Sequence, residues 1–355
     1  MSAFVSISPV RGTMELVWGC VFTIIICTWN LQHLTIPSPN KSAWRVMGNK
    51  VLWAFLTMIA PEFVCMLSFD EHYFARTQTR KMQDHGFPWW TTKHSFFGMM
   101  GGYLLEYQNK GKIIVGAAEI RWLASSSLLV LPEVTCREID GLAREKTFQK
   151  AIAAVQLVWF ALQCIGRAVE RMELALFEVT TLCFVTYAVV TLICWWKKPS
   201  GVSLRRTISC PSISVQDIDR MLDSTKGDRR LLMQKLHIRQ FNVASDHLTY
   251  FWFFILWLLA GGIGAWHLSA WNYSFPTSAE STLWRVSSIV ATIGPTILLF
   301  LVITDNRVLD WVLSLLIAVY VAARLFLLVE TIISLRSAPA GIYQRVRWSD
   351  AIPHF

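Results

Sequence analysis

The chain has 355 residues, of which 54% are hydrophobic and only 16% charged, with a formal net charge of +9 and a mean hydropathy of +0.42. Soluble domains carry about 25% charged residues, so the composition argues against an ordinary soluble protein. It also argues against reading the positive charge as a nucleic-acid footprint, because the cytoplasmic loops of membrane proteins are basic for another reason. None of the eight cysteines forms a CxxC pair and most fall in apolar runs, where cysteine acts as a small hydrophobe.

Seven apolar runs follow one another along the chain, at 14–34, 51–70, 151–169, 174–196, 249–267, 285–304 and 308–334. About 20 apolar residues cross a ~30 Å hydrocarbon core as a helix. Lipid offers the backbone no hydrogen-bond partners, so runs of this length are expected to be helices. The expected fold is therefore all-α: a polytopic helical membrane bundle of about seven transmembrane helices with small α-helical cytosolic loops. Its partner is the lipid bilayer, with no nucleic acid. The first run follows ten uncharged residues and reads as a retained signal-anchor.

The organisation implied is a tail and two helices over 1–70, a loop region over 71–150, and a hairpin over 151–196. A basic loop over 197–248, three helices over 249–334 and a tail over 335–355 complete it. Within the first loop region, 94–107 reads as an interfacial or re-entrant helix and 115–131 as an amphipathic helix, with an eighth span at 113–131 as the rival. The second loop opens as a Ser/Arg-rich linker and continues into a charged helical stretch, Asp217 to Gln240. Lys and Arg concentrate in these two regions. Seven crossings then put the N-terminus in the cytoplasm and the C-terminus on the luminal or extracellular side. The two N-x-S/T sequons, at Asn40 and Asn272, both fall on that second side and are the glycosylation candidates.

Charges inside the runs carry the functional question, because each costs several kcal/mol to embed and needs a partner or a use. Glu62 and Arg324 both lie roughly 15–17 Å deep, at ~1.5 Å per residue, and are expected to pair or to line one polar cavity. Glu178 and Glu330 sit one to two turns inside. These four are the candidates for a buried polar or ligand pocket, and Glu62 and Glu178 are the candidate catalytic carboxyls. Ala260-Gly-Gly-Ile-Gly264 has the small-residue spacing of close helix packing. No HxxxH or HExxH pair, aspartate-rich diphosphate motif, P-loop or histidine box occurs, so no metal and no cofactor is expected.

Several phrases in fixed order carry a resemblance. They are Arg11-Gly-Thr-Met-Glu-Leu-Val-Trp18 with Cys27-Thr-Trp-Asn30, Ala60-Pro-Glu-Phe63, and Trp90-Thr-Thr-Lys-His-Ser-Phe-Phe97 with Met100-Gly-Gly102. Gln156-Leu-Val-Trp-Phe160, Trp195-Trp-Lys-Lys-Pro199 and Trp271-Asn-Tyr-Ser-Phe-Pro276 follow. The chain resembles a large family of fungal integral membrane proteins without an established molecular activity. It departs at Glu138–Lys146, which lacks the Lys/Ser-rich run expected there. The resemblance implies a polytopic fold and a fungal source, and supplies no reaction. Two functions stay open: a protein that binds, scaffolds or moves an apolar small molecule, and a membrane-embedded enzyme such as a terpenoid cyclase. The second would use Glu62 or Glu178 as a buried acid.

Overall fold

The computed structural model describes residues 10–30, 32, 35–37, 42–108, 111–145, 147–225, 258–259, 261–303 and 310–346. Four of its helical stretches are long and apolar enough to cross a membrane: Thr13–Asn30, Phe148–Val169, Leu176–Cys194 and Trp311–Ser337. They contain helices α1 (Thr13–Ile25, extended by a π-helical turn to Asn30), α7 (Thr147–Val169), α8 (Leu176–Cys194) and α11 (Asp310–Ile333). The run expected at 285–304 lies, through Ile303, in the 26-residue α10 (Ser278–Ile303), and of the run expected at 249–267 only 258–259 and 261–267 are described. A small-residue crossing joins these two, as the glycine spacing predicts. A Cβ on Gly264 would stand 2.3 Å from the Thr292 backbone nitrogen, a separation only glycine permits.

α7 shows how the bundle is built. Ala153, Leu157, Phe160 and Cys164 recur every three or four residues and are buried against α1 and α8. The opposite face carries Phe148, Ile152, Val155, Trp159, Leu162, Ile165 and Val169, all exposed. A helix apolar all round has no polar face for water.

The run at 51–70 is not a single helix. It divides into α2 (Ala43–Ile59) and α3 (Pro61–Asp84), bent by 108° at Ala60. Proline at the first position of α3 has no N–H to donate and disfavours the helical conformation at the residue before it. Ala60 accordingly sits at φ −138°, ψ 70°. The two arms leave the tip toward the same end of the bundle. Trp53 of α2 and Val64 and Ala75 of α3 pack with Trp195, just past the end of α8, and Lys198 beyond it binds Glu71.

The two described ends of the chain lie side by side. Arg11 N–H donates to Tyr343 O, and Val10 bridges Gln344 in antiparallel fashion. The described ends of the chain therefore meet at one end of the bundle. Of the two sequons, Asn40 lies outside the described residues and Asn272 is exposed.

At that other end the loop regions fold together with a small sheet, so the chain is mostly helical and not all-α. α4 (Thr92–Met99) stops at Gly101, whose φ of +80° suits glycine. The chain then forms the hairpin β1 (Tyr103–Tyr107) and β2 (Gly111–Val115), followed by α5 (Ala117–Ser125), α6 (Cys136–Leu142) and β3 (Ala143–Glu145). β4 (Ser200–Val202), β5 (Arg206–Ser209) and α9 (Val215–Ser224) follow α8. β1 pairs antiparallel with β2 and parallel with β5, and β3 pairs antiparallel with β4. The 94–107 helix and the 115–131 helix are thus each cut short by strands. The nine residues of α5 rise only ~13.5 Å, which removes the eighth span. Trp90, Phe97, Tyr103, Ile120, Ile139 and Met221 fill the core.

His94 is locked in this core. Its Nδ1 accepts from Thr91 N–H at 3.1 Å, and Nε2 donates to Val134 O at 2.6 Å, the arrangement of the neutral ring. Burial pushes the imidazole below its ordinary 6.5. The unfolded chain then binds more protons, so stability is full above about 6.5 and declines as pH falls through that value toward the lower folded one. Denaturant titrations of the full chain at pH 7.5 and 5.5 should show this loss, and His94→Asn should reduce the pH difference; an unchanged difference would exclude His94 as its source. Tags at the two termini should be equally accessible in sealed vesicles, and a tag at the Ser126–Ser127 turn oppositely accessible. Opposite behaviour of the two terminal tags would refute the shared end.

Candidate functional site

Two buried charged clusters lie at different depths of the bundle. The first is at the tip of the α2–α3 hairpin. Pro61 and Glu62 open α3, and Tyr320 and Arg324 sit one turn apart midway along α11. Tyr320 Oη donates to Glu62 Oε1, and Arg324 Nε donates to Ile59 O at 2.8 Å, a carbonyl at the helix break. Glu62 is 3% exposed and Arg324 0%. Glu62 Oε2 and both terminal nitrogens of Arg324 are nevertheless left without a hydrogen-bond partner. The two charges stand in the same electrostatic field, but no hydrogen bond or ion pair joins them directly. An unsatisfied buried polar group costs about 1–3 kcal/mol, and more when charged.

The second cluster is the meeting point of the termini. Arg11 binds Glu178 with both guanidinium arms, at 2.6 and 2.8 Å, while Arg167 Nε lies 3.7 Å from the same carboxylate. Glu178 Oε2 also accepts from Ala175 N–H, at the start of its own helix. Arg167 donates to the carbonyls of Glu173, Gly341, Ile342 and Gln344. Here nearly every donor has an acceptor, and the carboxylate is fully engaged. The arrangement is a clasp between the start of α1, the α7–α8 turn and the C-terminal segment.

Family membership follows the same division of the chain. The Family of unknown function (DUF8562) matches residues 1–212 and 304–355. The chain belongs to that family. No curated protein and no solved structure matches it. The matched segments of the DUF8562 family contain both clusters, Glu62, Tyr320 and Arg324 at the tip and Arg11, Arg167 and Glu178 at the clasp. They leave out His267 and Gly264.

The candidates named from sequence are thus separated. Glu62 and Arg324 come together, joined through Tyr320 and the Ile59 carbonyl. Glu178 belongs to the clasp. Glu330 lies elsewhere, 3% exposed, in the field of Glu280, whose carboxylate binds Arg336. Sequence reasoning missed Tyr320. Its signal is a hydroxyl exactly one turn before the buried arginine of an otherwise apolar helix. His267 is buried, with Nδ1 at 2.7 Å from Ile263 O and its ring against Trp284. Among the described residues no cluster of His, Cys, Asp and Glu could hold a metal.

At the interface with the globular end, Lys198 binds Glu71 at 2.6 Å and lies over the Trp195 ring. Lys150 donates to the carbonyls of Trp195, Trp196 and Lys198. Burial pushes the Lys198 ammonium down, and Glu71 opposes that shift.

Breaking a buried ion pair from one side strands the other charge and costs about 3–5 kcal/mol. Arg11→Ala should therefore lower the thermal stability of the purified protein by about 3 kcal/mol, and adding Glu178→Gln should recover part of it. Unchanged stability in Arg11→Ala would show that the clasp does not hold the termini.

Proposed function

We propose that the protein is a multi-pass integral membrane protein that binds a small apolar molecule at the tip of the α2–α3 hairpin. The observation that carries this reading is the set of orphaned polar atoms there: Glu62 Oε2 and both terminal nitrogens of Arg324, all buried. Groups of this kind are expensive to leave empty and inexpensive to leave for a ligand that completes them. The apolar outward faces of α7 and α11 support a lipid environment, as does the resemblance to fungal integral membrane proteins.

In this arrangement α2 and α3 form a re-entrant hairpin. Irregular backbone at membrane depth is tolerated where protein or a cavity surrounds it, and the Ile59 carbonyl at the break accepts from Arg324 of α11. The two loop regions 71–150 and 197–248 carry most of the Lys and Arg in the sequence, and the globular end they build faces the cytoplasm by the positive-inside rule. The two described ends of the chain then lie on the opposite face.

The clasp weighs against Glu178 as a catalytic acid. A proton donor must be held neutral by its surroundings, whereas Glu178 faces two guanidinium groups and a backbone N–H. The cyclase reading is left with Glu62 alone.

The test is extraction of the protein purified from a heterologous host, followed by mass spectrometry of the small molecules it retains. The wild type should retain a compound above the bulk-lipid background, and Arg324→Gln and Tyr320→Phe should lose most of it. Identical extracts from wild type and both variants would overturn the reading.

A further inference from the structure

The hairpin-tip site also constrains the chemistry of what it takes, and the constraint rests on the binding function proposed above. Two terminal guanidinium nitrogens without acceptors form a planar fork, the shape that a carboxylate meets with two parallel hydrogen bonds. A hydroxyl offers one oxygen and leaves half of the fork empty. The orphaned Glu62 Oε2 is the remaining position, and it lies at the N-terminal end of α3, where the helix dipole favours negative charge.

Charge decides the rest. One carboxylate and one guanidinium already balance, so a ligand carboxylate brought in alone would leave one uncompensated negative charge deep in an apolar bundle. That outcome is costly. A single proton removes it. Shared between Glu62 Oε2 and a ligand oxygen, the proton makes one strong hydrogen bond and leaves the set of Arg324, Glu62 and ligand neutral overall. Both orphaned ends of the site are then satisfied. Two carboxyl groups in contact cannot both ionise, and holding one proton between them is their ordinary solution.

We propose that the tip binds a lipophilic monocarboxylic acid together with one proton, the acid's carboxyl bridging Arg324 and Glu62. The bound species is R–COO⁻ plus H⁺ taken from water, with no other bond made or broken. The other titratable groups in the electrostatic surroundings of the site are Tyr320 on α11, Tyr187 and Cys183 on α8, Cys65 on α3, and His267. Tyr187 donates its hydroxyl to Leu259 O and His267 is held by Ile263 O, so both are committed elsewhere.

The experiment uses the full chain in nanodiscs of zwitterionic lipid, titrated with radiolabelled palmitic acid between pH 6 and 9, with hexadecanol and hexadecanesulfonate as comparison probes. Above the pKa of the membrane-dissolved acid, wild-type affinity for palmitate should fall about tenfold per pH unit, because each bound molecule needs one proton. The sulfonate cannot bring a proton and should bind wild type at least a hundredfold more weakly. Glu62→Gln supplies a neutral partner, so it should make palmitate affinity nearly independent of pH and should admit the sulfonate. Arg324→Gln should lose both probes while Arg11 and Glu178 keep the bundle closed, as judged by an unchanged elution volume. Palmitate binding without pH dependence in wild type, or hexadecanol binding as tightly as the acid, would overturn the proton-coupled acid while leaving a retained compound in the extraction test intact. Extracts of wild type that hold no compound above background, or extracts identical between wild type and both variants, would instead remove the binding site itself.

Discussion

A helix cannot break inside an apolar bundle unless something receives the backbone groups that the break sets free. Ala60 and Pro61 make such a break, and Arg324 answers it by donating Nε to the Ile59 carbonyl. A hydrogen bond to a charged donor contributes about 1.5–3 kcal/mol. The same side chain brings two further donors into the bundle as a consequence. Much of the architecture depends on this one interaction. It holds the bend between α2 and α3 against α11.

The two charged clusters differ in how completely they are satisfied, and the difference separates structure from function. At the clasp, Arg11 and Arg167 face Glu178 and a row of carbonyls, and they tie three chain segments that are far apart in sequence. At the tip, Tyr320 and Ile59 satisfy only part of Glu62 and Arg324. A set of partners closed but for Arg167 Nε, which stands 3.7 Å from the Glu178 carboxylate, stabilises. An incomplete set is held ready by the closed parts around it.

The bundle and the globular end are joined by charge as well as by chain. Lys150 takes up the carbonyls that end α8, where a positive charge also suits the helix dipole, and Lys198 is paired with Glu71 of α3. α3 runs from the hairpin tip through this junction into the globular core at Met82. It therefore connects the orphaned carboxylate to the globular end through one continuous helix.

Four of the long apolar runs as helices, and the expense of embedding Glu62 and Arg324, were legible in the sequence, because burial in an apolar medium acts on each segment by itself. The glycine spacing at 260–264 was legible for the same local reason. The sheet was not. Tyr103, Leu105 and Ile208 become strand residues through pairing between segments a hundred residues apart, and no local period announces that partner. Pro61 was visible, yet whether it kinks a span or turns it back depends on where the second arm finds contacts, here Lys198 and Trp195. Glu178 and Glu62 looked alike as carboxylates in apolar helices. Only the fold gave one of them two arginines and left the other with an empty oxygen, because partners drawn from distant segments are chosen by three-dimensional packing and not by sequence neighbours.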